Sequence, residues 1–382
     1  MRFLEFPLGE FKNLEMLQYH DLKIEAVHGA SEDIRKHISR VVLGTPGRMR
    51  YRHIGVMDKL DRVGKTIFLT LRKGHRLLGT VGLVQRLVET GENRSNAFFI
   101  RYFAIFSPMR SKKHDKKQRK GKKDKQFILK DQLKEQFDRM DQFIEDPGLQ
   151  QFKSVSYAFI EKENERSLDF SETMGYQTLG EVRTMPFSRF SPKYHKNVQS
   201  LPKEERENMM NKIREMYKGH SLFFPDYLPL DDHYFVYKKD EEIIAGVQCS
   251  LVDFEIIEMP GFSGWLFLHV IPRVPVLRRL FQAKKFSFVS FDGIWYKPGC
   301  EKYLMPLFES VCARFNTKVA MSWFDSRSRI YREVMKKVRM GFLTRILGTL
   351  PGIIRIKFFN QTETEKREFL DKPVYVSGYD MS

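Results

Sequence analysis

The sequence predicts an α/β (α+β) chain of two successive domains, each a mixed central sheet flanked by helices. Three observations carry that expectation. Apolar runs of strand length alternate with segments whose apolar residues recur every three or four positions, along most of the 382 residues. Two of the runs, Asn96–Phe106 and Phe286–Tyr296, are of long-strand length, and the first is almost continuously apolar or aromatic, as a central strand is. The order of elements in the first half also returns in the second, and Asp325–Met335 echoes Asn164–Met174. Superposed without gaps, Arg166 meets Arg327, Ser167 meets Ser328, Glu172 meets Glu333 and Met174 meets Met335. A repeat of roughly 160 residues is most simply a duplication. The length suits two domains, placed at 1–195 and 205–382, with the polar stretch Pro192–Glu207 as linker.

Taken in order, Leu22–Val27 reads as a strand and Ser31 as the cap of a helix carrying Ile34, Ile38, Val41 and Val42. Thr66–Leu71 and Leu77–Val88 form a hairpin about the turn Arg72–His75. Asn96–Phe106 is the central strand of the first sheet, ended by Ser107 and Pro108. Phe127, Leu133, Phe137, Met140 and Ile144 then fall at helical spacing, with Asp146, Pro147 and Gly148 as the stop. Tyr157–Ile160 is a buried strand, and Asn164 can cap the helix after it, whose stripe is Leu168, Phe170 and Met174. Gly175 ends that helix, because a left-handed residue costs glycine least. Glu181–Phe190 closes the half as a strand. In the second half Tyr234–Lys238 and Ile243–Phe254 make a hairpin about Lys239–Glu242, Glu301–Phe315 is a helix, and Lys318–Phe324 is a strand leading into the echo. Gly341–Phe359 mixes Arg and Lys with Leu, Ile and Phe, which suits either a segment at a membrane surface or a closing pair of core strands.

Composition narrows the chemistry. Cys249, Cys300 and Cys312 are too few and too scattered for a disulfide framework or a zinc site, so no metal is expected and the compartment expected is a reducing cytoplasm. Met1–Glu10 lacks a seven-residue apolar run and does not read as a secretory signal. No stretch is apolar enough to span a bilayer. The net charge of +18 favours a phosphate-rich cofactor, an anionic membrane or a nucleic acid. Much of it is local, because Arg110–Lys125 holds ten Lys or Arg against two Asp; a solvated loop explains such a run as well. No Ser-His-Asp order, zinc spacing or Walker-type loop is present.

The segment Tyr157–Tyr176, with its Asn164 and its closing Gly175 and Tyr176, resembles the second cofactor half of the GNAT (GCN5-related) acyltransferases, where an Asn opens a helix that ends in Gly-Phe or Gly-Tyr. The order of strands and helices in the first half is also the GNAT order. The resemblance implies an acyl-CoA co-substrate, acetyl-CoA or a longer acyl-CoA, whose pyrophosphate would lie on backbone N–H groups at a helix N-terminus. In the family that loop reads Gln or Arg, two residues, Gly, one residue, then Gly or Ala. Here the match is at Gln118 and Gly121 and the departure is at Lys123, where the family has a small residue. Gly121 would let the backbone come close, while Lys122 and Lys123 would meet phosphate as point charges. The pantetheine arm would pair with an opened edge of the long strand, making Phe103, Ala104, Ile105 and Phe106 backbone contacts. Asn164 would touch the same arm, or serve only as a helix cap. The family often uses a helix Tyr as acid where this chain has Ser171. The second copy of the phosphate loop keeps only Gly299 and brings in Glu301, which would repel a pyrophosphate. One cofactor site is therefore expected, in the first half. Asp292 and His269 are the candidates for a catalytic base, although a lone Asp or His is more often structural.

The function expected is that of a tandem GNAT-like acyltransferase, moving an acyl group from a CoA-type thioester to an amine. N-myristoyltransferases, mycothiol synthases and peptidoglycan aminoacyl transferases resemble two such folds joined. The acceptor would be a small-molecule or lipid amine, with peripheral contact at the inner face of an anionic membrane and, as a lesser expectation, nucleic acid. The alternative is a catalytically inactive GNAT-like module that binds nucleic acid or anionic membrane through its basic loop, a reading that Lys123 and Ser171 favour.

Overall fold

The computed structural model describes residues 18–19, 22–62, 65–105, 130–144, 146–265, 270, 273 and 282–382. Along the chain run β1 (Gln18–Tyr19), β2 (Leu22–His28), α1 (Glu32–Ile38), β3 (Arg50–Ile54), α2 (Val56–Arg62), β4 (Thr66–Lys73), β5 (Arg76–Thr90), β6 (Asn93–Ile105) and α3 (130–138). Next come α4 (Pro147–Gln150), β7 (Ser154–Glu161), α5 (Glu165–Thr173) and β8 (Gln177–Ser188). The second half holds β9 (Val198–Ser200), α6 (Arg206–Tyr217), β10 (Tyr234–Lys239), β11 (Glu242–Glu258), α7 (Gly261–Trp265), β12 (Phe286–Tyr296), α8 (Leu304–Arg314), β13 (Val319–Asp325), α9 (Arg329–Lys337), α10 (Phe342–Leu347), β14 (Leu350–Phe359), α11 (Glu363–Leu370) and α12 (Gly378–Met381). Among the described residues no helix is long and apolar enough to cross a membrane.

By its contacts the chain forms two compact units, one from Met1–Val41, Val56–Arg86 and Phe98–Glu145, the other from Val42–Gly55, Leu87–Ala97 and Asp146–Ser382. In the first unit β1, β2, β4, β5 and the far end of β6 lie side by side. Ile34, Ile38, Val56, Leu60, Phe68 and Tyr102 form its packed core, drawn together by the removal of apolar surface from water. The expected hairpin is β4–β5, turning at Gly74 with φ +53°. Ser31 holds the N-cap position of α1, but its hydroxyl bonds Asp33 Oδ1 at 2.6 Å and not a helix amide. The expected long helix ends at 138, and Asp146 starts a helix where a stop was expected. The Asp146 carboxylate accepts from Gly148 N at 2.9 Å, and Pro147 takes the first helical position, which needs no N–H donor.

In the second unit the strand order is β7-β14-β8-β13-β12-β11-β10-β9, with β3 paired to the far end of β11. All of these pairs are antiparallel except β12–β13. Strand, helix, hairpin, long strand, helix, strand, helix, strand thus occurs twice, once from β2 to β8 and once from β9 to β14. The two copies interlock. β14 lies between β7 and β8, and β8 lies between β14 and β13, so each copy's last strand is paired into the other's sheet.

This order corrects two expectations. Gly341–Phe359 is not two strands but α10 followed by one strand, β14, whose Ile354 and Ile356 are fully buried. The echo also falls out of register. Asn164 caps α5, whereas the cap of α9 is Ser328, whose hydroxyl accepts from Tyr331 N at 3.1 Å; Asp325 ends a strand. The four sequence identities are therefore not equivalent positions, and the element order carries the repeat. The expected linker itself contains β9, paired to β10.

Candidate functional site

In the first unit β6 carries the segment expected to meet the acyl donor, and it does not run straight. Tyr102 has φ +54°, an outlier for a bulky side chain in a strand. A left-handed residue rotates the peptide that follows it. Its surroundings hold it. Its ring packs with Ile34, Ile38, Leu60 and Phe68, and Thr80 Oγ1 donates to its carbonyl at 3.2 Å. Gly82 leaves the space, since a Cβ there would lie 3.0 Å from the Arg101 carbonyl oxygen and 3.1 Å from the Tyr102 ring. Just beyond the kink, His37 of α1 hydrogen-bonds the Ala104 backbone, while burial pushes its imidazole pKa down. Phe103 turns outward, 38% exposed, and Ala104 is half-buried. Backbone strain of this kind costs on the order of 1–3 kcal/mol and concentrates at ligand sites. Ile105 is the last residue of β6, its side chain outside the described set. Phe106, Gln118, Gly121, Lys122, Lys123 and the base candidate His269 also lie outside the described residues.

In the second unit Asn164 is the cap of α5, its side-chain oxygen accepting from Ser167 N at 3.2 Å. Gly175, at φ +84°, closes the helix: Tyr176 N reaches Ser171 O at 3.0 Å and Gly175 N reaches Glu172 O at 2.9 Å. Ser171, where the family often has an acid, is buried and committed. It donates to Leu168 O at 2.7 Å and accepts from Arg355 Nε at 2.9 Å.

The second copy shows the same deformation and what fills it. Gly293 in β12 has φ +50°, and the pairing with β11 slips by one residue there, from Gly246↔Trp295 to Gln248↔Asp292. β12 and β13 pair over only two rungs, Val289↔Ala320 and Ser290↔Met321. Beside the parted strands lies the chain's own segment Pro373–Ser377. Val374 N donates to Asp325 Oδ2 at 2.9 Å and Tyr375 N to Ser221 O at 2.9 Å. The hydroxyls of Tyr375 and Ser377 donate to the Asp292 carboxylate, which also accepts from Gly293 N at 2.8 Å and Tyr379 N at 3.3 Å. Burial pushes the Asp292 pKa up and these donors draw it back. The expected base candidate Asp292 is thus a buried anchor for the C-terminal segment. A cavity of about 20 Å³ remains beside it, lined in part by Tyr217, His220, Ser322 and Asp325; it is large enough for one water.

The second phosphate-loop position is also taken. Glu301 is 2% exposed; its carboxylate accepts from Gly299 N at 3.1 Å and from Lys337 Nζ at 3.0 Å. Burial alone would raise its pKa, but the backbone donors and Lys337 hold it below the usual range. The chain thus places its own carboxylate on the Gly299 N–H. Of all this, Gly299 and the acid at 301 were visible in the sequence. The Tyr102 kink, His37 and the plugging segment gave no local signal.

The sequence matches no protein-family model and no curated protein. In structure it is similar to the N-myristoyltransferase of Saccharomyces cerevisiae with bound myristoyl-CoA, with a TM-score of 0.55 and 8% identity over 96% of this chain and 92% of that chain. Another structure of that enzyme with bound myristoyl-CoA gives 0.53 and 9% identity over 96% and 86%. A GCN5-related N-acetyltransferase from Anabaena variabilis ATCC 29413 gives 0.44 and 7% over 87% and 72%. The repeated element order, with one left-handed residue in each copy's long strand, accompanies a superposition along 96% of the chain, and the fold is that of the Saccharomyces cerevisiae N-myristoyltransferase.

Proposed function

We propose that this protein is an acyl-CoA-dependent N-acyltransferase that moves an acyl group from a CoA thioester to a small-molecule or lipid amine. The observation that carries the reading is the likeness in fold, over 96% of the chain, to a protein whose structure holds myristoyl-CoA. The filled second copy supports a single donor site in the first half. There the backbone of Phe103, Ala104, Ile105 and Phe106 would pair with the pantetheine amides as an added strand does. Gln118, Gly121, Lys122 and Lys123 would receive the pyrophosphate. Transfer requires a neutral attacking amine and a stabilised leaving thiolate.

Calorimetric titration with acetyl-CoA and with a long-chain acyl-CoA tests this. The wild type should bind at one site, and Gly121→Glu should weaken binding at least about tenfold, because a carboxylate then faces the pyrophosphate. Failure of the wild type to bind either thioester would sink the reading and leave the inactive module that binds through its basic run.

A further inference from the structure

We propose that the corner formed by the end of β8 and by α10 docks on an anionic lipid surface, through the exposed Phe190, which stacks on Phe342, and through the Arg and Lys residues of the segments that meet there. This proposal does not depend on acyl transfer. The corner is built rigidly. Ser188 N donates to Met340 O at 2.8 Å, Leu343 N to Ser188 Oγ at 3.0 Å, and Arg189 Nη2 to Arg339 O at 2.7 Å. Lys318 Nζ donates to Phe190 O, and Thr344 Oγ1 to Pro186 O. Gly341 makes the approach possible, with φ +106° and a virtual Cβ only 2.0 Å from the Ser188 carbonyl oxygen.

On this frame Phe190 and Phe342 stack with centroids 4.4 Å apart, and Phe190 is still 52% exposed. Tyr194, four residues further along the same loop, is 51% exposed. The segments that meet here carry five cations: the side chains of Arg189 and Lys318 bond the backbone of Arg339 and Phe190, Lys193 and Arg339 lie in the bonded segments, and Arg345 lies in α10. The carboxylate that meets them, Glu309, is 13% exposed, lies 3.9 Å from Arg189 and accepts from Lys193 N at 3.1 Å. Burial pushes the Arg189 guanidinium pKa down, with Arg339 adding to it.

Aromatic side chains held outward among Arg and Lys match the headgroup boundary, where rings enter the apolar edge and cations meet lipid phosphates. Nucleic acid would use the cations but would want free ring faces for stacking, and the inner face of Phe190 is covered by Phe342.

The test is co-sedimentation of the full chain with phosphatidylcholine vesicles and with vesicles that also contain phosphatidylserine, using Arg339→Glu, Arg345→Glu and Phe190→Ser. Folding of each variant is checked by its thermal transition. The wild type should bind only the serine-containing vesicles. Each charge reversal should weaken partition at least about fivefold, since one cation near such a surface is worth about 1 kcal/mol. Phe190→Ser should weaken binding at high salt as well, where charge is screened. A variant with Lys116, Lys117, Arg119 and Lys120 changed to Gln separates the basic run. The proposal is overturned if folded corner variants bind like the wild type, if only the basic-run variant loses binding, or if a single-stranded oligonucleotide binds and vesicles do not.

Discussion

His220 follows α6 and is 8% exposed, and burial pushes its imidazole down to about 4, against the opposing pull of Asp325 and of the Tyr217 backbone. In the unfolded chain the ring would take a proton near its ordinary 6.5. Between those values the unfolded state binds the extra proton, so stability is complete above about pH 6.5 and falls as pH drops toward about 4. The difference corresponds to roughly 3 kcal/mol. Denaturant midpoints at several pH values, for wild type and His220→Gln, measure it; equal pH dependence in the two would refute the assignment. His37 poses a different test in the first unit. His37→Phe removes the bond to the Ala104 backbone beside the kink and should weaken acyl-CoA binding about fivefold, whereas His37→Gln, which keeps a donor, should lose less. Equal losses in both variants would mean that the ring's packing, and not its hydrogen bond, matters.

At the scale of elements, two turns make opposite predictions. Gly341 must be left-handed, and its Cβ would strike the Ser188 carbonyl, so Gly341→Ala should cost more than about 2 kcal/mol and loosen α10 from β8. The β10–β11 hairpin turns through Asp240 at φ +49° and Glu241 at φ +62°, a mirror-image two-residue turn made without glycine. Glu241→Gly should therefore stabilise by about 1 kcal/mol; urea midpoints decide both, and a stabilising Gly341→Ala or a destabilising Glu241→Gly would contradict the account. The hairpin was legible because polar turn residues separate two apolar runs. The left-handed conformation of Asp240 and Glu241 was not, because neither residue type demands it. Asp146, Pro147 and Gly148 were misread for a related reason: an acid followed by proline serves a helix start as well as a stop, and only the carboxylate's position over Gly148 N distinguishes the two.

For the whole molecule, the interleaving of β14 and β8 is the governing fact. Each copy's last strand supplies ladder hydrogen bonds and buried side chains to the other copy. Residues 1–195 or 205–382 expressed alone would each leave a long apolar strand edge unpaired, which favours aggregation. Neither half should show a cooperative unfolding transition alone, while the two co-expressed should recover one; a folded, soluble half would contradict this. By itself the sequence determined the α/β class, most strand and helix positions, the repeated order of elements, and the acid at position 301. Those follow from periodicity, caps and charge, which act over a few residues. Tertiary structure alone decided that β14 enters between β7 and β8, that Tyr102 is left-handed, and that Pro373–Ser377 fills the second copy around Asp292. Each of these depends on which distant segment best satisfies exposed backbone groups and buried polar atoms, and no local pattern in the chain records that competition.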